Sequence, residues 1–270
     1  MWSIMRHKHK KPRIVVIMCA RNEEKLLRLS LSSLLNQTLL PAEIIVVNDR
    51  STDKTGEIAE KFAREYPFVK VVHRKGDHRF EHETEIPKTF NEGLKYAGKF
   101  DYLAKIDADI LLAPDYFKII VEEFQKDERL GIAGGRTINE NHTRVRGGNS
   151  VFRYECWKQI SNQGFMPVID AEDSYMSLKA EYIGWKVKLI RRAKSLHLRP
   201  MKSLPLRKVI KQRWRIGVTC YKLGYHPLTF LKRVLTTGFF EKPCIISIPL
   251  MLSGWIYGFL KHTKIEEELR

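Results

Sequence analysis

The chain has 270 residues, 43% of them hydrophobic, and its 48 lysines and arginines exceed its 31 acidic residues to give a net charge of +17. This length and composition fit a folded protein with one large domain and a C-terminal appendage. No apolar stretch follows the basic N-terminus, so a cleaved signal peptide is not expected. The four cysteines include no C-x-x-C pair, which indicates neither a zinc site nor a disulfide framework and predicts a reducing compartment.

The first hundred residues alternate apolar strand patterns with helical patterns. Strands are predicted at residues 13–19, 43–47 and 69–72, because continuous apolar runs are typical of strands buried on both faces of a parallel sheet. This alternation predicts an α/β fold, a mostly parallel sheet flanked by helices with right-handed crossovers. The helices are predicted from apolar stripes at helical spacing, formed by Leu27, Leu31, Leu34 and Leu35, by Ile58, Ala59, Phe62 and Ala63, and by Phe90, Leu94 and Ala97.

Polar residues directly follow three of the predicted strands. Arg21 and Asn22 follow the first strand, Asp49 follows the second, and Asp107 and Asp109 follow a later apolar strand. Ligands of parallel α/β sheets bind at the carboxyl ends of the strands. These five residues are therefore expected to share one cleft.

Asp107 and Asp109 stand one residue apart at the end of their strand. In an extended segment, residues i and i+2 point the same way, so both carboxylates converge on one point. Such oxygen ligands suit a hard divalent cation bound to nucleotide phosphates. A surface turn with two solvated aspartates is the alternative, and the apolar residues Ile110, Leu111 and Leu112 that follow disfavour it.

Together with later segments, these motifs resemble inverting glycosyltransferases of family 2, which have the GT-A fold. The resemblance runs from the first strand to His197, and it is the order and spacing of the motifs that make it specific. Asn48 stands where the family usually has Asp, and Arg50 where it usually has Gly, which puts the turn geometry there in question. The matching segments are residues 20–24 (ARNEE), 47–55 (VNDRSTDKT), 88–94 (KTFNEGL), 107–109 (DAD), 147–149 (GGN) and 172–173 (ED).

The resemblance implies transfer of a sugar from a nucleotide sugar, with UDP favoured and GDP the alternative, and with inversion at the anomeric carbon. Mg²⁺ or Mn²⁺ would bridge the diphosphate, with Asp109 as its direct ligand and His197 as a second one. The alternative for His197 is an ordinary polar residue in a basic segment.

The same resemblance assigns the nucleotide. Asp107 would contact the ribose or a metal-bound water. Lys88 would contact base or phosphate, or else be a solvated lysine at the start of a helix. The base and ribose would be held by Asp49 and by the turn formed by Ala20, Arg21, Asn22 and Glu23.

On the acceptor side, the resemblance assigns Asp173 as the general base that takes the proton of an acceptor hydroxyl. A structural aspartate at the start of a helix is the alternative, because residues 174–178 have a helical pattern. Glu172 would be a second catalytic residue that hydrogen-bonds the acceptor. A lipid phosphate, already anionic, would need no base. The loop before the acceptor site would be Gly147, Gly148 and Asn149.

The basic residues are concentrated near the C-terminus. Residues 182–240 include fifteen lysines and arginines and no acidic residue, and an uncharged segment follows at 243–260. This pattern predicts association with the cytoplasmic face of an anionic membrane, with the segment spanning the bilayer or lying in its interface. A buried or dimerising helix is the alternative, and nucleic acid is not an expected partner. We therefore expect a catalytic domain at 1–203 and a basic, hydrophobic, helical region at 204–270.

Other protein classes fit less well. A sugar-phosphate nucleotidyltransferase would need a glycine-rich loop after the first strand, where residues 20–24 contain no glycine. A dehydrogenase would need G-x-G-x-x-G at the same place. A non-catalytic, membrane-associated binding protein would have no reason to align Asp107, Asp109 and Asp173.

Overall fold

The computed structural model describes residues 11–76, 84–140, 142, 144–169, 172–199, 206–222, 224–240 and 246–261. The chain divides into two compact units, Met1–Arg199 and Pro200–Arg270. Residues 243–245, where the uncharged segment begins, lie outside the described residues. The first unit contains the sheet, and the described residues of the second contain three helices.

Four parallel strands form one half of the sheet, in the order β3-β2-β1-β4. The predicted alternation of strands and helices is confirmed, although Ala97 lies beyond the end of its predicted helix. In chain order the elements are β1 (Ile14–Ala20), α1 (Leu27–Leu35), β2 (Glu43–Asn48), α2 (Thr55–Glu65), β3 (Val69–His73), α3 (Glu85–Leu94) and β4 (Tyr102–Ile106).

The other half of the sheet is mixed. The full order is β3-β2-β1-β4-β7-β6-β8-β5, and four of the seven described pairings are parallel. The predicted α/β class with a mostly parallel sheet is therefore confirmed. The remaining elements of this unit are β5 (Ile110–Leu112), α4 (Tyr116–Lys126), β6 (Leu130–Thr137), β7 (Asn149–Arg153), α5 (Tyr154–Ile160), α6 (Glu172–Tyr182) and β8 (Lys186–His197).

The core of this unit lies between the sheet and its helices. The side chains of β1 and β2 are almost all buried, as expected for central strands with helices on both faces. At Gly93 in α3, an added Cβ would lie 2.6 Å from Val47 and 2.9 Å from Ile17. Because glycine allows this approach, α3 packs directly on the sheet and its first turn lies near the end of β2.

The strand register brings the predicted site residues to one edge. Ala20 is paired with Asn48, and Asn48 with His73, so β1, β2 and β3 end together. On the other side of β4, the antiparallel β7 begins where β4 ends, with Ile106 paired with Asn149. The loop before β7 therefore lies beside the aspartates that follow β4.

Part of the basic span is neutralised within the first unit. In β8, Lys188 and Arg192 lie 2.8 and 3.1 Å from carboxylate oxygens of Glu123 in α4, and Lys186 lies 2.8 Å from Asp127. These basic residues therefore have acidic partners that are distant in the sequence.

Where the structure describes the second unit, its helices are α7 (Leu206–Lys222), α8 (Pro227–Phe240) and α9 (Ser247–Leu260). Glycines allow α7 and α9 to touch, because a Cβ on Gly217 would overlap the carbonyl oxygen of Met251, and one on Gly254 would overlap that of Trp214. No helix within the described ranges is both long enough and apolar enough to cross a membrane.

Candidate active site

The turns after β1 and β2 are joined by hydrogen bonds. Asn22 has a φ of 53°, and its Oδ1 accepts the N–H of Thr52 at 2.9 Å. The N–H of Glu23 donates to Thr55 Oγ1 at 2.7 Å, and the N–H of Asp49 donates to the Ala20 carbonyl at 2.8 Å. Asn22 and Glu23 thus hold the turn in shape, and Arg21 lies partly exposed beside them.

Arg50 keeps the backbone conformation that a glycine would have at its position. Its φ is 54°, in the left-handed region that favours glycine. The side chain lies 2.8 Å from Asp49 and 2.5 Å from Glu85, so it links the end of β2 to the start of α3. With Arg50 in place of the usual Gly, the turn therefore keeps its left-handed backbone conformation and also carries a guanidinium group.

A second arginine completes this cluster. Nη1 of Arg74 lies 3.0 Å from Asp49 and 3.2 Å from Glu85, and Lys88 is 3.2 Å from Glu85. Burial alone would raise the pKa of Glu85, but hydrogen bonds from Arg50, Lys88 and Arg74 lower it to about 2. Asp49 is consequently a fixed, buried carboxylate at the end of β2.

Asp109 and His197 come together across the sheet edge. His197 Nε2 lies 3.1 Å from Asp109 Oδ2, and His197 Nδ1 lies 2.6 Å from Glu140. Burial alone would lower the pKa of His197, but the hydrogen bond to Glu140 and the charge of Asp109 raise it above its ordinary value. Arg199 donates to Asp109 Oδ2 at 3.2 Å and also pairs with Glu23.

This donor set fits a divalent cation that takes its remaining ligands from a phosphate. Within the described ranges, no group of three or more His, Cys, Asp or Glu side chains is arranged to hold a metal. Mg²⁺ in proteins is commonly bound by one or two carboxylates together with substrate phosphates and water. Asp109 would supply one such carboxylate, and the imidazole of His197 beside it would be a second donor.

Asp107 lies beneath the loop formed by Gly147 and Gly148. Its N–H donates to the Gly148 carbonyl at 2.9 Å, and burial raises the pKa of its carboxyl group. A Cβ on Gly148 would overlap Asp107 Oδ2, and one on Gly147 would lie 3.0 Å from Cβ of Asp173. Gly147 and Gly148, the glycine pair, therefore lie between Asp107 and Asp173 and place only backbone atoms there.

Asn149 anchors that loop to the sheet. Its Nδ2 donates to the Gly135 carbonyl at 3.0 Å and to Ser195 Oγ at 2.9 Å. The backbone carbonyl of Asn149 accepts a hydrogen bond from the hydroxyl of the buried Tyr116 at 2.5 Å. The side chain of Asn149 is thus committed to neighbouring strands.

Glu172 and Asp173 lie in the first turn of α6. Asp173 Oδ1 accepts the N–H of Ser174 at 2.7 Å, while its Cβ and Oδ2 face Gly147. Glu172 is buried and pairs with the buried Lys105 at 2.7 Å. Asp173 therefore lies in the first turn of α6 and beside the glycine pair, and its assignment as a general base stays a prediction.

The sequence did not predict that Lys105, Arg74, Glu140 and Arg199 belong to the site. Lys105 had a signal, because a lysine inside an otherwise apolar central strand must have a buried partner. Arg74, which directly follows β3, is at a strand end like the residues that were identified. Glu140 had no signal, since only the folded chain brings it to His197 from 57 residues away.

A separate polar groove of about 520 Å³ lies along α2, lined in part by Asn48, Gly56, Glu60 and His73. Its lining includes none of the predicted site residues. The candidate site is therefore defined by the converging side chains, and the groove is a different feature of the surface.

The sheet and the cluster at its carboxyl edge define an α/β protein of the nucleotide-binding type. Residues 15–184 match the family described as glycosyl transferase family 2, and the chain belongs to this family. An uncharacterized glycosyltransferase of Haemophilus influenzae is 34% identical over 124 residues, which are 46% of this chain and 36% of the relative. The chain spans about a third of the length of the first curated relatives that it matches.

Solved structures show the same fold. The mannosyltransferase PcManGT from Pyrobaculum calidifontis, in complex with GDP-Man and Mn²⁺, has a TM-score of 0.63 at 18% identity, and the match covers 93% of this chain and 76% of that one. TarS 1–349 of S. aureus, in complex with UDP, has a TM-score of 0.59 at 17% identity, with 86% and 73% covered. The predictions of a GT-A fold and of the family are confirmed.

Substitutions in the glycine pair test the two sides of the site separately. We expect Gly148→Ala to displace the Asp107 carboxylate and weaken nucleoside diphosphate binding, because the added Cβ would overlap Asp107 Oδ2. Gly147→Ala, which faces Asp173, should leave that binding nearly unchanged and lower turnover. Calorimetry with UDP or GDP and Mn²⁺ measures the difference, and equal binding losses in both variants would contradict it.

Proposed function

We propose that the chain transfers a sugar from a nucleoside diphosphate sugar to a hydroxyl or lipid-phosphate acceptor, with inversion at the anomeric carbon. The observation that carries the proposal is the grouping of Asp49, Asp107, Asp109 and His197 at one sheet edge, with Asp173 across the glycine pair. PcManGT binds GDP-Man and TarS binds UDP, which supports a UDP or GDP donor.

On the donor side, the fixed carboxylate of Asp49 is placed to accept hydrogen bonds from the base or ribose. Arg50 and Arg74 hold that carboxylate in place, so it binds a ligand without further ordering. Lys88 lies at the same end of α3 and would contact base or phosphate. Asp107, one residue past β4, would contact the ribose or a metal-bound water.

Asp109 and His197 would hold Mg²⁺ or Mn²⁺, and PcManGT with bound Mn²⁺ supports that choice. When bound, the cation offsets the negative charge that develops on the departing diphosphate. Glu140, on Nδ1 of His197, directs Nε2 toward Asp109. Arg199 already bonds Asp109 and so lies next to the expected position of the diphosphate.

On the acceptor side, Asp173 is the proposed general base. Its carboxylate takes the proton of the acceptor hydroxyl while that oxygen bonds to the anomeric carbon. The bond from that carbon to the diphosphate oxygen breaks on the opposite face, and its electron pair leaves with the diphosphate. Attack from that face inverts the configuration, and a lipid phosphate would attack without this proton transfer.

Replacement of the metal ligand tests the donor side. We expect Asp109→Asn to abolish turnover and the Mn²⁺-dependent part of UDP or GDP binding, because a neutral amide is a poor ligand for a hard cation. Calorimetry with and without Mn²⁺ gives the metal-dependent part. Asp127→Asn, at a surface ion pair far from this edge, is the control. Near-normal transfer by Asp109→Asn would remove the metal assignment.

Replacement of the base separates chemistry from donor binding. We expect Asp173→Asn to keep donor affinity and to lose transfer to a hydroxyl acceptor by roughly 10²–10⁴-fold. A screen of UDP-GlcNAc, UDP-Glc and GDP-Man supplies the donor for this assay. Glu181→Gln, at the exposed far end of α6, is the matched control. Loss of donor binding in Asp173→Asn would assign the residue a different role.

The proposed location is the cytoplasmic face of an anionic membrane, where nucleotide sugars are available. The second unit exposes large apolar side chains, among them Leu228 at 70% and Leu260 at 67%. Basic residues beside such a surface contribute about 1 kcal/mol each near an anionic bilayer. The acceptor would then be lipid-linked or carried on the membrane.

Liposome binding tests this location. We expect the full-length chain to sediment with vesicles that contain anionic lipid, and Leu228→Ser/Leu260→Ser to bind them more weakly with donor binding kept. Leu29→Ser, which removes a leucine 49% exposed in the first unit, is the control. If the wild-type chain does not bind anionic vesicles, the membrane location is wrong, and the apolar surface of the second unit serves packing or dimerisation instead.

A further inference from the structure

A buried lysine lies beneath the carboxylates proposed for the chemistry. Lys105 in β4 is 5% exposed, and its Nζ lies 2.7 Å from Oε1 of Glu172, which is 7% exposed. Lys105 is two residues before Asp107, so both side chains leave the extended chain on the same side. Moving two charges out of water costs more free energy than the attraction within many buried ion pairs recovers. Stability alone therefore does not account for this pair.

The pair connects the two halves of the candidate site. Lys105 belongs to the strand that leads into Asp107, while Glu172 opens α6, 67 residues later in the chain. Further along, α6 is held by the buried side chains of Tyr175 and Met176. Its first turn, which carries Asp173, is held by the ion pair.

The position of Asp173 depends closely on that first turn. Asp173 is the next residue after Glu172, and a Cβ on Gly147 would lie 3.0 Å from Cβ of Asp173 and 3.1 Å from Oδ2. A displacement of Glu172 would therefore move the Asp173 carboxylate against the loop or away from it.

The surroundings of Lys105 favour its charged form. Burial alone would lower the pKa of Lys105, but the nearby charges of Glu172, Asp107 and Asp173, with the hydrogen bond to Glu172, raise it above its ordinary value. One ammonium group thus stands among three carboxylates, of which Glu172 is buried, and reduces their mutual repulsion.

We propose that Lys105 is a positioning residue for the general base, acting on Asp173 through Glu172. This role rests on the proposed function, in which Asp173 takes the acceptor proton. Glu172, which the sequence assigned to the acceptor, then serves to orient its neighbour. Loss of the pair should lower kcat and leave the KM for the donor, and the affinity for nucleoside diphosphate, close to those of the wild type.

The test uses the full chain and replaces both charges together. Lys105→Met alone would leave Glu172 buried without its partner and is expected to destabilise the protein, whereas Lys105→Met/Glu172→Leu puts an apolar pair of similar volume in the same space. Glu172→Gln, which keeps an oxygen for Lys105, is the conservative variant. The control is Lys70→Met, which breaks an exposed lysine–glutamate pair between strands of the same sheet.

Three measurements are made on each protein: UDP or GDP binding with Mn²⁺ by calorimetry, thermal unfolding, and steady-state turnover of the nucleotide sugar that the wild type uses. We expect the double variant to fold and bind nucleotide like the wild type, with kcat lower by about 10²-fold and an unchanged donor KM. Glu172→Gln should keep most of kcat, and Lys70→Met all of it.

Two results would overturn the role of Lys105. One is a folded double variant with the wild-type kcat. The other is loss of nucleotide binding in step with turnover, which would place Lys105 on the donor side. A wild-type chain that binds neither UDP nor GDP with Mn²⁺ would instead overturn the proposed function, and this role with it, so the two failures are distinguishable.

Discussion

Several carboxylates lie close together at one edge of the sheet. The rest of the site must offset the electrostatic repulsion between them. Coulomb repulsion between like charges is strong wherever burial lowers the effective dielectric constant. Most of these carboxylates lie within hydrogen-bonding distance of a basic side chain: Asp49 with Arg50 and Arg74, Glu85 with the same arginines, Asp109 with His197 and Arg199, Glu140 with His197, and Glu172 with Lys105. The large excess of basic residues in this chain is thus partly used inside the site.

Two carboxylates differ from the others. Among the described residues, Asp107 and Asp173 form no direct ion pair with a basic side chain, and both lie against the glycine pair. A carboxylate without an ion-pair partner can bind a ligand or accept a proton with no ion pair to break. The structure therefore keeps these two available and stabilises them from a distance, through the charge of Lys105.

Much of the fold was predictable because the first half of the sheet has local signals. Central parallel strands are apolar on both faces, so β1, β2 and β4 appear as continuous runs, and each is followed by polar residues at the ligand-binding edge. The mixed half was not predictable in the same way, since β7 lies between β4 and β6 only because of pairings that no local pattern encodes. At Arg50, where the family usually has Gly, the sequence could only raise the question of turn geometry, because nothing in it shows that an ion pair with Glu85 accompanies a left-handed turn.

Support for the two free carboxylates can be followed back to the core. The buried hydroxyl of Tyr116 in α4 donates to the Asn149 carbonyl, and the Asn149 side chain bonds Gly135 and Ser195 on neighbouring strands. These contacts fix the start of β7, and the glycine pair directly before it is held against Asp107 by a backbone hydrogen bond. Because the packed sheet sets the separation of Asp107 from Asp173, donor and acceptor groups would meet at a distance fixed before either ligand binds, which is the arrangement that lowers the entropic cost of a two-substrate reaction.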